Sequence, residues 1–91
     1  MNKVELIAAV SERTGLSRKD AERVVLATFD TISDELARGE RVQIAGFGIF
    51  EVKEREGHLG RNPMTGERIQ IATTRNPGFR AGKALKDRVA K

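Results

Sequence analysis

The side chains of this sequence best suited to binding a ligand are basic, and many of them lie in its second half. At strand spacing, Lys53, Arg55 and Arg61 would share one face of an extended segment, with Glu54 and Glu56 on the other. Cations spaced in this way can follow the phosphates of a nucleic-acid backbone. The alternative is a solvated hairpin of alternating charge.

A turn signal, Gly-Arg-Asn-Pro-Met-Thr-Gly at residues 60–66, lies in the middle of this basic region. Pro63 fixes φ at the first corner, Asn62 can bond the backbone ahead of it, and Gly66 can adopt a positive φ. Strand-like segments on both sides predict a long β-hairpin with Pro63 at its tip. A proline exposed there has no core to fill, whereas minor-groove proteins use such apolar wedges to kink duplex DNA.

The charge distribution also indicates a polyanion-binding half. Residues 1–52 carry 7 basic and 9 acidic side chains, a net charge of −2, whereas residues 53–91 carry 10 and 4, a net charge of +6. The absence of cysteine excludes disulfides and fits a reducing cytoplasm. The sequence contains no apolar run of signal-peptide or membrane-spanning length, so we expect a soluble intracellular protein with no membrane partner.

Enzymatic, metal and cofactor functions lack the residues they need. His58 is the only histidine, and no cysteine or cluster of carboxylates accompanies it, so we predict no catalytic residues and no metal site. Residues 78–83 resemble a phosphate-binding loop but are one residue too short, and Ala84 replaces the metal-binding hydroxyl. The four phenylalanines all fit core patterns, which argues against stacking on single-stranded bases.

Capping residues and apolar periodicity predict two helices in the first half of the chain. Asn2 and Glu5 form a start signal and Gly15 a stop signal, while Ser17 begins a second helix that Gly39 ends. The apolar stripe of this second helix consists of Ala21, Val24, Val25, Thr28, Phe29, Ile32 and Leu36.

The second half changes to strand periodicity. We predict a strand around Val42 and Ile44, a hairpin with sides at 48–56 and 67–74, and a short C-terminal helix after Gly82. Pro77 is expected to break the strand ladder. The predicted order is α-α-β-β-β-α, an α+β fold. The projecting hairpin leaves too thin a core for a monomer, and dimerisation would correct this.

The chain resembles the bacterial histone-like HU proteins and their relative integration host factor over essentially all 91 residues. The matching segments include Met1-Asn2-Lys3, Gly15-Leu16-Ser17, Gly46-Phe47-Gly48, Gly60-Arg61-Asn62-Pro63 and Gly82-Lys83-Ala84-Leu85-Lys86. HU and integration host factor are themselves known examples of minor-groove bending proteins.

The resemblance implies one domain, with a helical dimerisation base at 1–39 and a saddle at 40–91 that includes an arm at about 53–76. It implies an intertwined dimer whose two arms curl around DNA, each Pro63 intercalating in the minor groove. Implied DNA contacts are Lys53, Arg55, Arg61, Asn62 and Pro63 on the arm, and Arg75, Arg80, Lys83 and Lys86 in the saddle. The implied dimer core contains Phe29, Phe47, Phe50 and Phe79.

The function expected from these observations is non-enzymatic, largely sequence-independent binding, bending and compaction of nucleoid DNA in the cytoplasm, with a preference for bent, nicked or gapped duplexes. The dimer could be a homodimer or include a paralogue. Glu56, His58 and Leu59 depart from the small or basic residues usual in the family's arm, which predicts a shallower salt dependence. The alternatives are a site-specific bending factor of the integration-host-factor type and an oligomerisation module that does not bind DNA.

Overall fold

The structure, a computed structural model, describes residues 1–55, 57–61 and 64–91, with the backbone alone at 58, 59 and 69–71. Helices and strands alternate in blocks within these ranges. In chain order they are α1 (Lys3–Thr14), α2 (Arg18–Ala37), β1 (Val42–Ile44), β2 (Gly48–Arg55), β3 (His58–Arg61), β4 (Arg68–Ile71), β5 (Thr74–Ala81) and α3 (Lys83–Val89).

Both predicted helix starts are confirmed by side-chain caps. The Asn2 Oδ1 accepts a hydrogen bond from the Glu5 amide at 2.9 Å, and the Ser17 Oγ accepts one from the Asp20 amide at 3.1 Å. These oxygens satisfy amide groups that the first helical turn cannot pair internally. The two helices pack against each other as the predicted helical hairpin.

A three-stranded antiparallel sheet in the order β1-β2-β5 confirms the predicted α+β fold class. Val42 pairs with Phe50 across β1 and β2, and Gly48 pairs with Ala81 across β2 and β5. The turn between β1 and β2 is closed by a 3.0 Å hydrogen bond from the Phe47 amide to the Ile44 carbonyl. Helix α2 contacts β1 and β2, so the helical hairpin covers one face of the sheet.

The predicted arm consists of two ladders rather than one. Beyond the pairing of Arg55 with Thr74, a second, two-stranded sheet pairs β3 with β4, from His58 opposite Ile71 to Arg61 opposite Arg68. Two residues on each strand separate the ladders, so the register is the same in both. The arm explains why the molecule measures 62 × 32 × 25 Å, with a radius of gyration of 19.3 Å. A compact chain of this length would have a radius of gyration of about 12–13 Å.

The prediction that Pro77 breaks the ladder is wrong. Strand β5 continues through Pro77, which lies opposite Val52. Proline lacks the N–H of a ladder bond, but β5 is at the edge of this sheet, where an N–H that points outward has no partner strand to lose.

The core is thin among the described residues. Its buried apolar members are Ile7, Ala21 and Val25, with Leu6 and Val10 packed against them. Much of the apolar stripe of α2 therefore remains exposed within one chain. No helix in the described part of the chain is long and apolar enough to cross a membrane.

Candidate nucleic-acid interface

The β2–β5 pairing separates the sheet into two faces of different chemistry. Cross-strand partners share a face and alternate residues change face, so Phe50 and Phe79 lie together, as do Val52 and Pro77. The rings of Phe50 and Phe79 have centroids 4.8 Å apart. We call this the helix-side face, because Val52 and Pro77 line a groove together with Leu36 of α2.

The opposite face, which we call the open face, carries the basic residues of the saddle. Lys53 and Arg55 of β2 and Arg80 of β5 share it, and all three are exposed. The Lys53 side chain extends across Gly78 of the neighbouring strand, where an added Cβ would lie 3.4 Å from the Lys53 Cε. The structure therefore brings together three of the predicted contacts on one surface.

One carboxylate, Glu51, interrupts this basic surface. It occupies the open face two residues before Lys53, and its Oε2 lies 3.5 Å from the Arg80 Nη2. The side chains of Arg80 and Glu51 are 61% and 26% exposed. An ion pair this accessible contributes little to stability, but its carboxylate competes with any external anion for Arg80. The sequence analysis did not single out Glu51, because only the strand register shows that it approaches Arg80.

The arm continues the positive charge beyond the saddle. Arg61 and Arg68 lie directly opposite each other in the β3–β4 ladder, so their side chains share a face. The sequence could not reveal the face of Arg68, and the register does. Two like charges at directly opposed positions repel, and an anion between them would relieve the repulsion.

The tip of the arm is described only in part. The predicted contacts Asn62 and Pro63 lie outside the described residues. Next to them, Met64 is 92% exposed, a large apolar side chain that the sequence analysis did not single out. Its position within the turn signal could have identified it, because an apolar residue at an exposed tip is as unusual as a proline.

Helix α3 adds two exposed cations at the other end of the sheet. The Gly82 amide donates a 2.9 Å hydrogen bond to the Phe47 carbonyl, which fixes the start of α3 beside the β1–β2 turn. An added Cβ at Gly82 would lie 3.2 Å from that carbonyl oxygen, so the close approach depends on glycine. Lys83 and Lys86 follow on α3, and both are exposed.

Arg75 does not join the other predicted contacts. It pairs with Glu54 across β2 and β5, which places it on the helix-side face, opposite Lys53 and Arg55. Its Nη2 lies 3.5 Å from the Ala37 carbonyl oxygen at the end of α2.

Three of the four predicted dimer-core residues form a cluster. Phe47 and Phe79 have ring centroids 5.3 Å apart, and Phe47 and Phe50 have centroids 6.4 Å apart. Phe29 lies on α2 and belongs to no ring pair in the described part of the chain. Large apolar side chains are nevertheless left exposed on the helices and the sheet: Val24, Phe29, Ile44, Phe47 and Phe79. Such a surface is typical of a protein interface.

Among the described residues, no group of three or more histidine, cysteine, aspartate or glutamate side chains could hold a metal ion. The ligand-binding chemistry of the described surface is therefore that of exposed lysine and arginine side chains.

Comparison with known protein families gives one match across nearly the whole chain. The family described as bacterial DNA-binding protein matches residues 1–90. DNA-binding protein HU-1 of Halalkalibacterium halodurans is 58% identical over 89 residues, which are 98% of this chain and 99% of that protein. DNA-binding protein HU of Geobacillus stearothermophilus is 55% identical over the same shares of both chains.

A solved structure agrees with the fold. The chain is similar to HU in an Anabaena HU–DNA cocrystal structure, with a TM-score of 0.82 and 43% sequence identity. The similarity covers 99% of this chain and 98% of the Anabaena chain, so it includes the arm as well as the helical base.

Proposed function

The chain belongs to the bacterial DNA-binding protein family and is an architectural DNA-binding protein of the HU type, and we propose that it bends and compacts duplex DNA with little sequence preference. Proteins of this family are not enzymes, and neither is this one. The observation that carries the proposal is the shared open face of Lys53, Arg55 and Arg80.

This basic surface suits a duplex better than a specific base sequence. Lysine and arginine side chains on a sheet and an extended arm can contact phosphates along the backbone, and such contacts carry no sequence information. We propose DNA contacts by Lys53, Arg55 and Arg80 on the sheet, by Arg61 and Asn62 on the arm, and by Lys83 and Lys86 on α3.

The bend is proposed to come from Pro63 at the arm tip. Insertion of an apolar wedge between base steps costs a few kcal/mol of unstacking, and this cost is offset when the bent duplex meets more basic surface. Nicked, gapped or prebent DNA has already met part of the cost, so it should bind more tightly than an intact duplex. Two wedges require two arms, so the active species is proposed to be a dimer.

The partner in the dimer is proposed to be a second copy of the chain, although a paralogue presenting the same apolar surface would also fit. Because the DNA of a bacterial cell lies in the nucleoid, the proposed location is the cytoplasm, in association with the nucleoid.

Energy transfer between the ends of a labelled duplex tests the wedge. Wild-type protein and Pro63→Ala are titrated at two salt concentrations, with Pro77→Ala as a proline control on the helix-side face. We expect the wild type to bring the ends together and Pro63→Ala to bind with a smaller bend. Equal bending by these two proteins would contradict the wedge, and absence of binding even at low salt would contradict the DNA-binding function.

Competition between intact and nicked duplexes tests the shape preference, and random-sequence competitor DNA tests the sequence preference. Equal affinity for intact and nicked DNA would count against the wedge. A strong preference for one sequence over random competitor would favour a site-specific bending factor instead.

A further inference from the structure

The C-terminal end of α2 leaves one carbonyl in need of a donor. The Arg38 amide bonds the Asp34 carbonyl, and the amides of Gly39 and Glu40 bond the carbonyls of Leu36 and Glu35 at 2.9 and 3.0 Å. This is the pattern of a Schellman motif, with Gly39 at φ 80°. It satisfies the carbonyls before Ala37 but not that of Ala37 itself.

The guanidinium of Arg75 occupies this position. Its Nη2 donates to the Ala37 oxygen at 3.5 Å, across 38 residues of sequence. An added Cβ at Gly39 would lie 3.2 Å from the same nitrogen, so the guanidinium also packs against the glycine of the motif. Two independent contacts therefore place Arg75 at the helix end.

The charge at this helix end favours a cation from elsewhere in the chain. The carboxyl end of a helix carries a partial negative charge that lysine or arginine stabilises. The last turn of α2 contains no basic residue, and the side chain of the following Arg38 is engaged in an ion pair with Glu35. Arg75 supplies a positive charge that α2 lacks.

The location of Arg75 in the sheet gives the contact a mechanical consequence. Arg75 is the second residue of β5, close to where the arm joins the three-stranded sheet. It lies on the helix-side face, so it cannot contribute to the basic row of Lys53 and Arg55 without the sheet turning over.

We propose that Arg75 is a positioning residue that tethers the base of the arm to the carboxyl end of α2, rather than a phosphate contact. The tether sets the direction in which the arm leaves the body. The inference rests on the proposed function only in that the arm is taken to be the part that embraces DNA.

The direction of the arm can be measured without DNA. The chain has no cysteine, so Glu12→Cys on α1 and Glu67→Cys beside the arm tip accept spin labels for a pulsed electron–electron distance measurement. Labelled chains are diluted into unlabelled chains so that distances within one chain dominate. The variants compared are Arg75→Gln, Arg75→Lys and, as a matched control on the open face of the same strand, Arg80→Gln.

We expect Arg75→Gln to broaden or shift the distance distribution, Arg75→Lys to restore part of it, and Arg80→Gln to leave it unchanged. Lysine can still donate to a helix-end carbonyl but cannot present two nitrogens. A distribution that Arg75→Gln does not change overturns the tether.

DNA binding gives the second measurement. Arg75→Gln should weaken binding about three- to tenfold, because a less ordered arm pays more entropy on binding, without changing the salt slope. Arg80→Gln should reduce the slope by about 0.9, the loss of one phosphate contact. A reduction of the slope by Arg75→Gln as large as that by Arg80→Gln would also overturn the proposal.

The two proposals fail separately. If the wild type does not bind DNA while Arg75→Gln still broadens the distance distribution, the tether is supported and the proposed function is wrong.

Discussion

Two arginines on one strand illustrate how the fold assigns different tasks to chemically identical side chains. Arg75 and Arg80 are five residues apart on β5, an odd interval that places them on opposite faces of the sheet. Arg80 joins Lys53 on the open face, whereas Arg75 reaches the end of α2. A count of positive charges cannot make this distinction, and the strand register makes it directly.

Glu51 should act as a built-in competitor for DNA. Replacing it by glutamine keeps the size of the side chain but removes the charge that pairs with Arg80. We expect Glu51→Gln to bind duplex DNA about two- to fivefold more tightly at low salt, with the advantage shrinking as salt screens the surface. Fluorescence anisotropy over a series of salt concentrations measures both effects.

The matched control for Glu51 is Glu12→Gln on α1, which makes the same change of net charge away from the open face. An equal gain in affinity from both variants would mean that net charge matters and that the Glu51–Arg80 pair does not. Because the pair is exposed, neither variant should change the free energy of unfolding by more than about 0.5 kcal/mol.

At the scale of elements, the end of α2 depends on Gly39. A non-glycine residue in the left-handed conformation costs about 1–2 kcal/mol, and here an added Cβ would also crowd the Arg75 guanidinium. We therefore expect Gly39→Ala to lower the free energy of unfolding by about 1–2 kcal/mol. Urea unfolding at a fixed chain concentration measures the change.

Asparagine adopts the left-handed conformation more readily than alanine, so Gly39→Asn separates the two contributions. A smaller loss from Gly39→Asn than from Gly39→Ala would attribute the effect to backbone conformation. Equal losses would attribute it to crowding of Arg75, and no loss from either would show that the helix end contributes nothing to stability.

The β3–β4 ladder gives up stability to carry its charge. Arg61 and Arg68 face each other, and like charges directly opposed destabilise a strand pair. Arg68→Glu should slow amide exchange in this ladder, because an attractive cross-strand pair contributes about 0.2–1 kcal/mol. The same variant should weaken DNA binding by tenfold or more at low salt, since it replaces a cation by an anion.

Arg68→Gln is the intermediate control, because it removes the repulsion without adding an attraction. Its amide exchange and its affinity should both lie between those of the wild type and Arg68→Glu. Unchanged DNA binding by Arg68→Glu would show that this face of the arm does not contact phosphate.

The sequence predicts the elements of this protein better than it predicts their relations. Asn2 and Ser17 announce their helices because a capping bond is local, formed within three residues. The split of the arm into two ladders and the continuation of β5 through Pro77 depend on strand pairing, which no local pattern reports. The same limit applies to the site: Lys53 and Arg55 could be placed on a common face, whereas Arg75 required the register.

At the scale of the whole molecule, one chain is an incomplete folding unit. Among the described residues the buried apolar core is three side chains, while phenylalanines on the helices and the sheet remain exposed. Apolar surface contributes about 25 cal/mol per Å² when it is removed from water, so burial against a second chain would stabilise both. The elongated arm adds surface to the molecule without adding to this core.

Phe29 provides the test of this view, because it is 49% exposed on the central helix of a single chain. If the chain folds alone, Phe29→Glu should cost little stability, since charged residues are tolerated at half-exposed helix positions. If folding requires a second copy, the same change places a charge in the interface and should lower the melting temperature by 10 °C or more, roughly the effect of losing 2 kcal/mol. Circular dichroism melting over a hundredfold range of concentration, with sedimentation equilibrium, measures both.

Val89→Glu is the matched control, since Val89 is also an apolar helix residue but is 74% exposed, on α3. We expect it to leave the melting temperature and the mass unchanged. The wild-type melting temperature should rise with concentration, because association favours the folded state by mass action. A mass of one chain at every concentration would contradict the dimer, and with it any mechanism that needs two arms on one duplex. A concentration-dependent melt that Phe29→Glu abolishes would instead show that the exposed face of α2 is what makes the chain fold, and that the arms come in pairs because the core does.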